Sequence, residues 1–146
     1  MRPVAPKLVC FDIGGVLIRI VGDPQEAFVR AGEAVPAHMP WEALWGKLLA
    51  VYDAFELGQM DETHFFSDCS ELTQMPVQNI RNVWEHWLVE PFPGNLRIIE
   101  MVKDAGIQTS CLSNTNIFHW NVMAGTGKNA LPLNQLDMHF TSFELK

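Results

Sequence analysis

The first apolar segment of the chain is short and ends abruptly in small residues. Residues 8–11 form a continuous apolar run, which is typical of a strand buried on both faces of a sheet. Residues 12–15 interrupt this run with an aspartate and two glycines, and residues 16–18 are apolar again. Because each glycine would cost a helix about 1 kcal/mol, the pattern favours a strand followed by a loop.

The periodicity becomes helical between about residues 23 and 90. Mostly apolar side chains recur there at spacings of three and four, which places them on one face of a helix. Asp61 stands where an N-cap residue is expected before one of these helices. The segment therefore predicts three or four short helices and no clear strand. The residues at helical spacing are Ala43, Leu44, Lys47, Leu48 and Val51, and further on Ile80, Val83, Trp84, Trp87 and Leu88.

A helix that leads into a strand is predicted after the prolines at positions 91 and 93. Residues 95–105 are amphipathic, and Gly106 stands where a left-handed C-cap is expected. Residues 107–112 form a second strand candidate that ends in small polar residues at positions 113–116. This arrangement is half of a βαβ unit, so the expected fold class is α/β. The rest of the pattern is ambiguous, apart from a short apolar segment near residues 139–143.

Composition and charge narrow the class of protein. The chain has 146 residues, 48% of them hydrophobic, which is typical of one globular domain. A formal net charge of −7 and no Lys/Arg-rich stripe argue against nucleic-acid binding. No apolar stretch has the length of about 18 residues that a membrane-spanning helix needs. With three cysteines and no CxxC pair, a disulfide scaffold is not expected, and we expect a cytoplasmic protein.

Polar residues follow both strand candidates at the ends where parallel sheets bind their ligands. Asp12 follows the first strand, and a carboxylate in this position can act as a nucleophile. Gly14 and Gly15 lie close behind it, and backbone amides of glycines can approach an anion closely. The hydroxyls of Ser113 and Thr115 can hold the oxygens of a phosphoryl group. The alternative interpretation is structural, because aspartate often caps a turn at the end of a strand.

Two further groups of residues have a structural and a functional interpretation. Four tryptophans at helical spacing are expected in the core of the helical segment, although one or two could line a substrate pocket. Cys10 and Cys111 lie within the strand candidates and are expected to be small core residues. His119 follows the second polar loop and could touch a ligand, but helix packing is the favoured interpretation. The four tryptophans are Trp41, Trp45, Trp84 and Trp87.

The two strand–loop segments resemble the first and second motifs of the haloacid dehalogenase (HAD) superfamily. Residues 9–17 read Val-Cys-Phe-Asp-Ile-Gly-Gly-Val-Leu, and residues 111–116 read Cys-Leu-Ser-Asn-Thr-Asn. The resemblance covers nearly the whole chain, and it is closest to the branch of sugar-phosphate phosphatases and the N-terminal domain of soluble epoxide hydrolases. It implies a Rossmann-like core of residues 1–20 and 91–146, with an inserted helical cap of residues 21–90.

The resemblance implies a Mg²⁺-dependent phosphatase of small phosphorylated metabolites. Asp12 would attack phosphorus to form an aspartyl-phosphate, and its other oxygen would bind Mg²⁺ together with the main-chain carbonyl of Gly14. Ser113 and the amide of Asn114 would hold the phosphoryl oxygens. Catalysis of this kind depends mostly on positioning and on the neutralisation of charge.

The sequence departs from the family pattern in two ways. Most phosphatases of the superfamily carry a second aspartate two residues after the nucleophile, where this chain has Gly14. The sequence also stops at Lys146, before the expected positions of the third and fourth motifs, with their lysine and metal-binding acids. We therefore expect a fragment with an incomplete sheet, a weak metal site and little turnover. An unpaired apolar edge beside the Asp12 strand would favour self-association.

Two alternatives to a phosphatase remain open on the sequence. One is a metal-independent 2-haloacid dehalogenase, whose members also lack the second aspartate but usually carry an aromatic residue at the position of Gly14. The other is a non-catalytic HAD-like module that binds a ligand or partner.

Overall fold

The computed structural model describes residues 6–145. Within them, strands and helices alternate at both ends of the chain, and helices alone fill most of the middle. The strands are β1 (Leu8–Phe11), β2 (Ile18–Ile20), β3 (Leu88–Pro91), β4 (Gln108–Ser113) and β5 (Met138–Thr141). The α-helices are α1 (Pro24–Ala31), α2 (Trp41–Glu56), α3 (Glu62–Thr73), α4 (Val77–Glu85), α5 (Asn95–Asp104) and α6 (Ile117–Ala124), and a short 3₁₀-helix spans Leu133–Gln135.

A parallel sheet in the order β1-β4-β5 forms the centre of the α/β fold. Phe11 of β1 pairs with Cys111 of β4, which in turn pairs with His139 of β5. The α5 helix leads into β4 through Gly106, whose φ of +72° is the left-handed conformation predicted for the C-cap region. The α/β class and the parallel sheet predicted from the sequence are therefore confirmed.

The two faces of this sheet differ in burial. Cys111 is buried against Ile99 of α5 and Met123 of α6. On the opposite face, the side chain of Leu112 is 56% exposed and that of Leu8 is 41% exposed, and Cys10 is exposed between them. The prediction that residues 8–11 are buried on both faces, with Cys10 in the core, is therefore wrong. Side chains alternate between the two faces of a strand, so Leu8 and Cys10 share the more exposed face of β1.

The outer edge of β1 has no partner strand among the described residues. This is the unpaired edge beside Asp12 that the sequence led us to expect. Its pairing with a second copy of the chain stays a prediction.

A short antiparallel pair of strands corrects the prediction for the end of the helical segment. Ile18 of β2 pairs with Pro91 of β3, and Arg19 pairs with Glu90. The spacing from Trp84 predicts a helix through Trp87 and Leu88, but α4 ends at Glu85, Trp87 lies in a turn, and Leu88 begins β3. A short apolar run is compatible with either structure, and its pairing with a distant segment decides between them.

The helices α1–α4 agree with the three or four helices predicted between residues 23 and 90. The side chain of Asp61 accepts a hydrogen bond from the His64 amide at 2.9 Å, which confirms its role as an N-cap. Trp84 is buried among these helices, and Trp41, Trp45 and Trp87 are partly buried against the same core. None of the described helices is long and apolar enough to cross a membrane.

Two hydrophobic clusters organise the molecule and meet at α6. The helical cluster contains most buried side chains of α1–α4 together with Phe118 of α6. The sheet cluster contains Ile13, Ile99 and Cys111 together with Met123 of α6. Leu88 belongs to the sheet cluster although it lies within the predicted cap. The division into a core and a cap at residues 20 and 91 stays a prediction.

Candidate active site at the carboxyl ends of the parallel strands

The loops that follow β1 and β4 meet at one edge of the sheet. Because the two strands are parallel neighbours, their carboxyl ends and the loops beyond them lie side by side. Together they line an open cleft of about 610 Å³, to which Asp12, Gly14, Ser113 and Asn114 contribute. The structure thus brings together four of the six site residues proposed from the sequence.

The carboxylate of Asp12 is exposed at the cleft and held from one side. Its Oδ1 accepts a hydrogen bond of 2.7 Å from the amide of the next residue, Ile13. Within the described residues, no protein donor bonds to its Oδ2. This geometry restricts the rotation of the side chain and leaves one carboxylate oxygen available to a ligand.

The loop after Asp12 closes on itself. The carbonyl of Ile13 accepts hydrogen bonds from the amides of Leu17 and Ile18 at 2.8 and 3.1 Å. Gly15 has a φ of +77°, and its amide donates to the carbonyl of Ile18 at 2.8 Å. That amide is therefore occupied in this conformation, and Gly15 does not line the cleft. Gly14 lies at the cleft, and no backbone hydrogen bond from the described residues involves its amide or carbonyl.

The loop after β4 is fixed by residues distant in sequence. The Oγ of Ser142 lies 2.8 Å from the carbonyl oxygen of Thr115 and 2.8 Å from that of Glu56, at the end of α2. The amide of Thr115 donates to the same Oγ at 3.0 Å, so that amide is occupied too. The Oγ of Ser113 makes only a long contact of 3.4 Å with the carbonyl oxygen of Asn114, which leaves the hydroxyl free to reorient.

A second, smaller cavity of about 60 Å³ adjoins the cleft. Gly14, Ser113 and Asn114 line both spaces, so the two adjoin along these residues. Thr115 lines only the smaller cavity. Its remaining wall includes Tyr52 and Trp87, which pack against the helical cluster, together with Ile20 and His119.

The sequence does not point to Tyr52 or Ile20 as site residues, and packing is its favoured interpretation of Trp87 and His119. No local pattern distinguishes them, because Tyr52 and His119 lie on helices, Ile20 lies on β2, and Trp87 lies in the turn between α4 and β3. They reach the cavity only through the packing of these segments against one another.

A buried polar network supports the wall between the cavity and the helices. The hydroxyl of Tyr52 donates a hydrogen bond of 2.9 Å to Glu56 Oε1. Burial, together with the charge of Glu56, raises the pKa of Tyr52, and burial also raises the pKa of Glu56. The amide of His119 donates to Asn116 Oδ1 at 2.9 Å, which caps α6.

The imidazole of His119 is neutral in this environment. Burial lowers its pKa to about 4. Its Nε2 lies 2.7 Å from the carbonyl oxygen of Trp84, which can only accept, so Nε2 carries the proton and donates. His119 therefore connects α6 to the end of α4 without bringing a charge to the cavity.

The oxygen atoms at the cleft fit a minimal Mg²⁺ site. Asp12 is the one carboxylate among the residues that line the cleft, and the carbonyl of Gly14 is a second possible ligand. No group of three or more His, Cys, Asp or Glu side chains gathers anywhere in residues 6–145. Mg²⁺ is commonly held by one or two carboxylates with water and substrate phosphate completing its shell, so the donor set is compatible but sparse.

Comparison with known proteins identifies the fold. No protein-family model and no curated protein matches the chain significantly. Among solved structures, a HAD family enzyme from Bacteroides thetaiotaomicron, in complex with magnesium and inorganic phosphate, superposes with a TM-score of 0.77 at 23% identity, covering 97% of this chain and 71% of that one. A predicted HAD-like family hydrolase from Porphyromonas gingivalis gives a TM-score of 0.72 at 19% identity, covering 96% and 68%.

A more distant similarity connects the chain with a dehalogenase. The L-2-haloacid dehalogenase from Xanthobacter autotrophicus gives a TM-score of 0.50 at 18% identity, covering 94% of this chain and 57% of that one. These similarities show that the chain has the fold of HAD family enzymes. At these identities they do not carry the chemistry of the site over, since one fold hosts several activities.

Proposed function

We propose that the protein is a HAD-like hydrolase that acts as a phosphatase on small phosphorylated metabolites. The observation that carries this proposal is the meeting of Asp12 with Ser113 and Asn114 in one cleft at the carboxyl edge of the sheet. The fold similarity to a HAD enzyme whose structure contains magnesium and inorganic phosphate supports it. The narrower resemblance to sugar-phosphate phosphatases and to the N-terminal domain of epoxide hydrolases is part of the proposal.

Asp12 is the nucleophile in the proposed reaction. Its Oδ2 forms a bond to phosphorus while the bond from phosphorus to the ester oxygen breaks, and the leaving oxygen keeps the electron pair. The Ile13 amide holds Oδ1 and so orients the carboxylate for this attack. Water then attacks phosphorus in the aspartyl-phosphate, which releases phosphate and restores Asp12.

Ser113 and Asn114 hold the phosphoryl oxygens in this scheme. The Ser113 hydroxyl has only a long contact to its neighbour, so it can turn toward an oxygen of the substrate. Asn114 is exposed at the cleft and can donate from its amide groups. Hydrogen-bond donors aimed at the phosphoryl oxygens stabilise the charge that develops in the transition state.

A bound Mg²⁺ would neutralise charge in this cleft. Asp12 and the phosphate are both anionic, and no Lys or Arg from the described residues lines the cleft beside them. The Asp12 carboxylate and the Gly14 carbonyl would hold the ion, with water and the substrate as its other ligands. Because the site has a single carboxylate ligand, it should bind Mg²⁺ weakly, and we expect the site to be saturated only at a high magnesium concentration.

Gly14 limits the rate that this site can reach. It has no proton to give, so the leaving oxygen must take its proton from water. General acid catalysis typically contributes 10²–10⁴-fold, and its loss predicts slow turnover.

The nucleophilic role of Asp12 is tested with Asp12→Asn. We expect a slow hydrolysis of p-nitrophenyl phosphate that requires Mg²⁺ and falls to the background rate in this variant, because a neutral amide is a poor nucleophile. The measurement is release of p-nitrophenol by purified protein over a magnesium titration.

Asp104→Asn is the matched control, since Asp104 is an exposed aspartate at the end of α5, away from the cleft. It should keep the wild-type rate. A rate that survives in Asp12→Asn, or that does not respond to magnesium, would contradict the proposal.

A 2-haloacid dehalogenase is the second candidate. The absence of a second carboxylate beside Asp12 and the fold similarity to a haloacid dehalogenase favour it. In that reaction Asp12 would displace halide from carbon without a metal. Release of chloride from chloroacetate, measured beside the phosphatase assay without magnesium, distinguishes the two.

A further inference from the structure

The smaller cavity beside the cleft offers no charge to a ligand. Its lining contains no Asp, Glu, Lys or Arg side chain, and its histidine, His119, is neutral because it is buried and donates to a backbone carbonyl. An ionic group that entered this space would lose its hydration without gaining an opposite charge. Such a transfer is strongly unfavourable.

The size of the cavity restricts what can enter it. Its volume is about 60 Å³. An engineered apolar cavity of about 150 Å³ in another protein holds a benzene ring, so this space is too small for a six-membered ring. A branched or linear chain of a few carbon atoms is the size that fits.

Two aromatic rings form the wall on the side of the helices, and further rings hold them in place. Trp87 and Tyr52 stack at 6.4 Å between centroids with an interplanar angle of 26°. Trp84 stacks on both rings, with centroid distances of 5.2 Å to Tyr52 and 5.4 Å to Trp87. Trp45 also stacks on Trp87, at 5.9 Å between centroids. A wall supported from several sides keeps its shape, and large apolar ring faces favour contact with aliphatic carbon.

The cleft and the cavity adjoin along Gly14, Ser113 and Asn114. A phosphoryl group beside Asp12 therefore lies next to residues that also line the cavity. In the inference that follows, the carbon chain of a phosphate ester extends past these shared residues toward Trp87.

We propose that the substrate class of this site is the phosphate monoester of a short, uncharged alcohol, whose carbon chain packs against Trp87 in the smaller cavity. This inference rests on the proposed phosphatase function. It predicts weaker binding of esters whose alcohol part carries a carboxylate or a second phosphate, and of ring esters, whose ring would have to stay in the open cleft.

The test compares the binding of three esters by isothermal titration calorimetry in the presence of Mg²⁺. The alcohol parts of isobutyl phosphate and phosphoglycolate each contain four non-hydrogen atoms in the same branched arrangement. The isobutyl group is uncharged, whereas the glycolate group ends in a carboxylate. Phenyl phosphate is uncharged in its alcohol part but carries a ring. We expect isobutyl phosphate to bind at least tenfold more tightly than either of the other two.

Variants locate the preference at the cavity. Trp87→Ala enlarges the space and should reduce the preference for isobutyl over phenyl phosphate at least fivefold, while Trp87→Phe should reduce it less. Trp41→Ala is the matched control, because Trp41 stacks on Trp45 at 5.9 Å in the same aromatic array but does not line the cavity. It should keep the wild-type preference.

The outcomes separate this inference from the proposed function. Equal binding of phosphoglycolate and isobutyl phosphate, or a preference that Trp87→Ala leaves unchanged, overturns the inference even if the protein hydrolyses phosphate esters. The expected ranking without any hydrolysis supports the cavity assignment and contradicts the phosphatase. Failure to bind any of the three esters overturns both. Circular dichroism of each variant checks that it is folded, and Trp87→Phe serves as the test variant if Trp87→Ala is not.

Discussion

At the scale of single residues, the two adjacent glycines of the Asp12 loop differ in whether the backbone requires them. Gly15 has a φ of +77° and closes the loop by donating to Ile18, so the backbone itself requires a glycine there. Gly14 does not have a positive φ. A Cβ added to it would meet only the side chain of Ile20, at 3.6 Å, which is an ordinary contact. The backbone therefore tolerates a side chain at the position where most phosphatases of the superfamily that the sequence resembles carry an aspartate.

Replacing Gly14 with aspartate should supply the proton donor that the proposed reaction lacks. We expect Gly14→Asp to fold and to raise kcat by about 10²-fold or more for an alkyl ester such as isobutyl phosphate, whose alkoxide leaving group needs a proton. Steady-state kinetics at saturating magnesium measure the change.

Gly14→Asn has nearly the same shape but no ionisable proton, and it should leave kcat close to that of the wild type. Equal rates in the two variants would mean that proton donation is not what limits turnover.

His119 makes the stability of the protein depend on pH. Its pKa is about 4 in the folded protein because of burial, against 6.5 as the ordinary value. Above pH 6.5 His119 is neutral in both the folded and the unfolded protein, and its contribution to the free energy of unfolding is fully present. As the pH falls from about 6.5 to 4, His119 binds a proton in the unfolded chain but stays neutral in the folded protein. Stability is therefore lost in this window, by about 3 kcal/mol at about 1.4 kcal/mol per pH unit.

His119→Gln should remove this part of the pH dependence, because glutamine does not titrate and its amide can still donate to the Trp84 carbonyl. Urea unfolding between pH 4 and pH 7 measures the free energy of unfolding for both proteins. His38→Gln changes an exposed histidine and should show the wild-type slope. An undiminished slope in His119→Gln would contradict the assignment.

At the scale of secondary-structure elements, the candidate site depends on three segments held by one side chain. Ser142, just beyond β5, contacts the backbone of Thr115 after β4 and of Glu56 at the end of α2. It fixes the position of the loop after β4 relative to both the sheet and the helices. No motif of the sequence marks it.

Ser142→Ala should loosen this loop. We expect it to destabilise the fold by about 1–3 kcal/mol, because it leaves buried backbone groups without their partner, and to weaken phosphate binding at the cleft. Urea unfolding and calorimetric titration with inorganic phosphate measure the two effects.

Ser67→Ala is the matched control, since Ser67 is exposed on α3 and should change neither quantity measurably. Unchanged phosphate binding in Ser142→Ala would show that the loop keeps its position without this contact.

The features that the sequence predicts at this scale are those set by neighbouring residues, and the features that it misses depend on distant segments. The N-cap of α3 at Asp61 and the left-handed Gly106 are properties of a few neighbouring residues, and both were predicted. The strand β3 was not, because Leu88 fits a helix by spacing and becomes a strand only by pairing with β2. The exposure of Cys10 was also missed, since it depends on what covers one face of the sheet.

At the scale of the whole molecule, α6 joins the two hydrophobic clusters. Phe118 packs on Phe66 of the helical layer, at 5.0 Å between centroids, and Met123 packs in the sheet cluster. Asn116, the last residue of the second motif, caps this helix. The motif loop, the helical layer and the sheet are therefore coupled through a single helix.

The sequence by itself determined the strands that carry Asp12 and Ser113, the helical segment between them, and the meeting of the two polar loops at one sheet edge. These follow from periodicity, capping and the geometry of parallel strands, which are encoded by neighbouring residues. Only the tertiary structure decided that the Gly15 amide bonds within the loop, that Ser142 fixes the loop after β4, and that a cavity without charged side chains adjoins the cleft. These features depend on contacts between segments far apart in the chain, which no local pattern specifies.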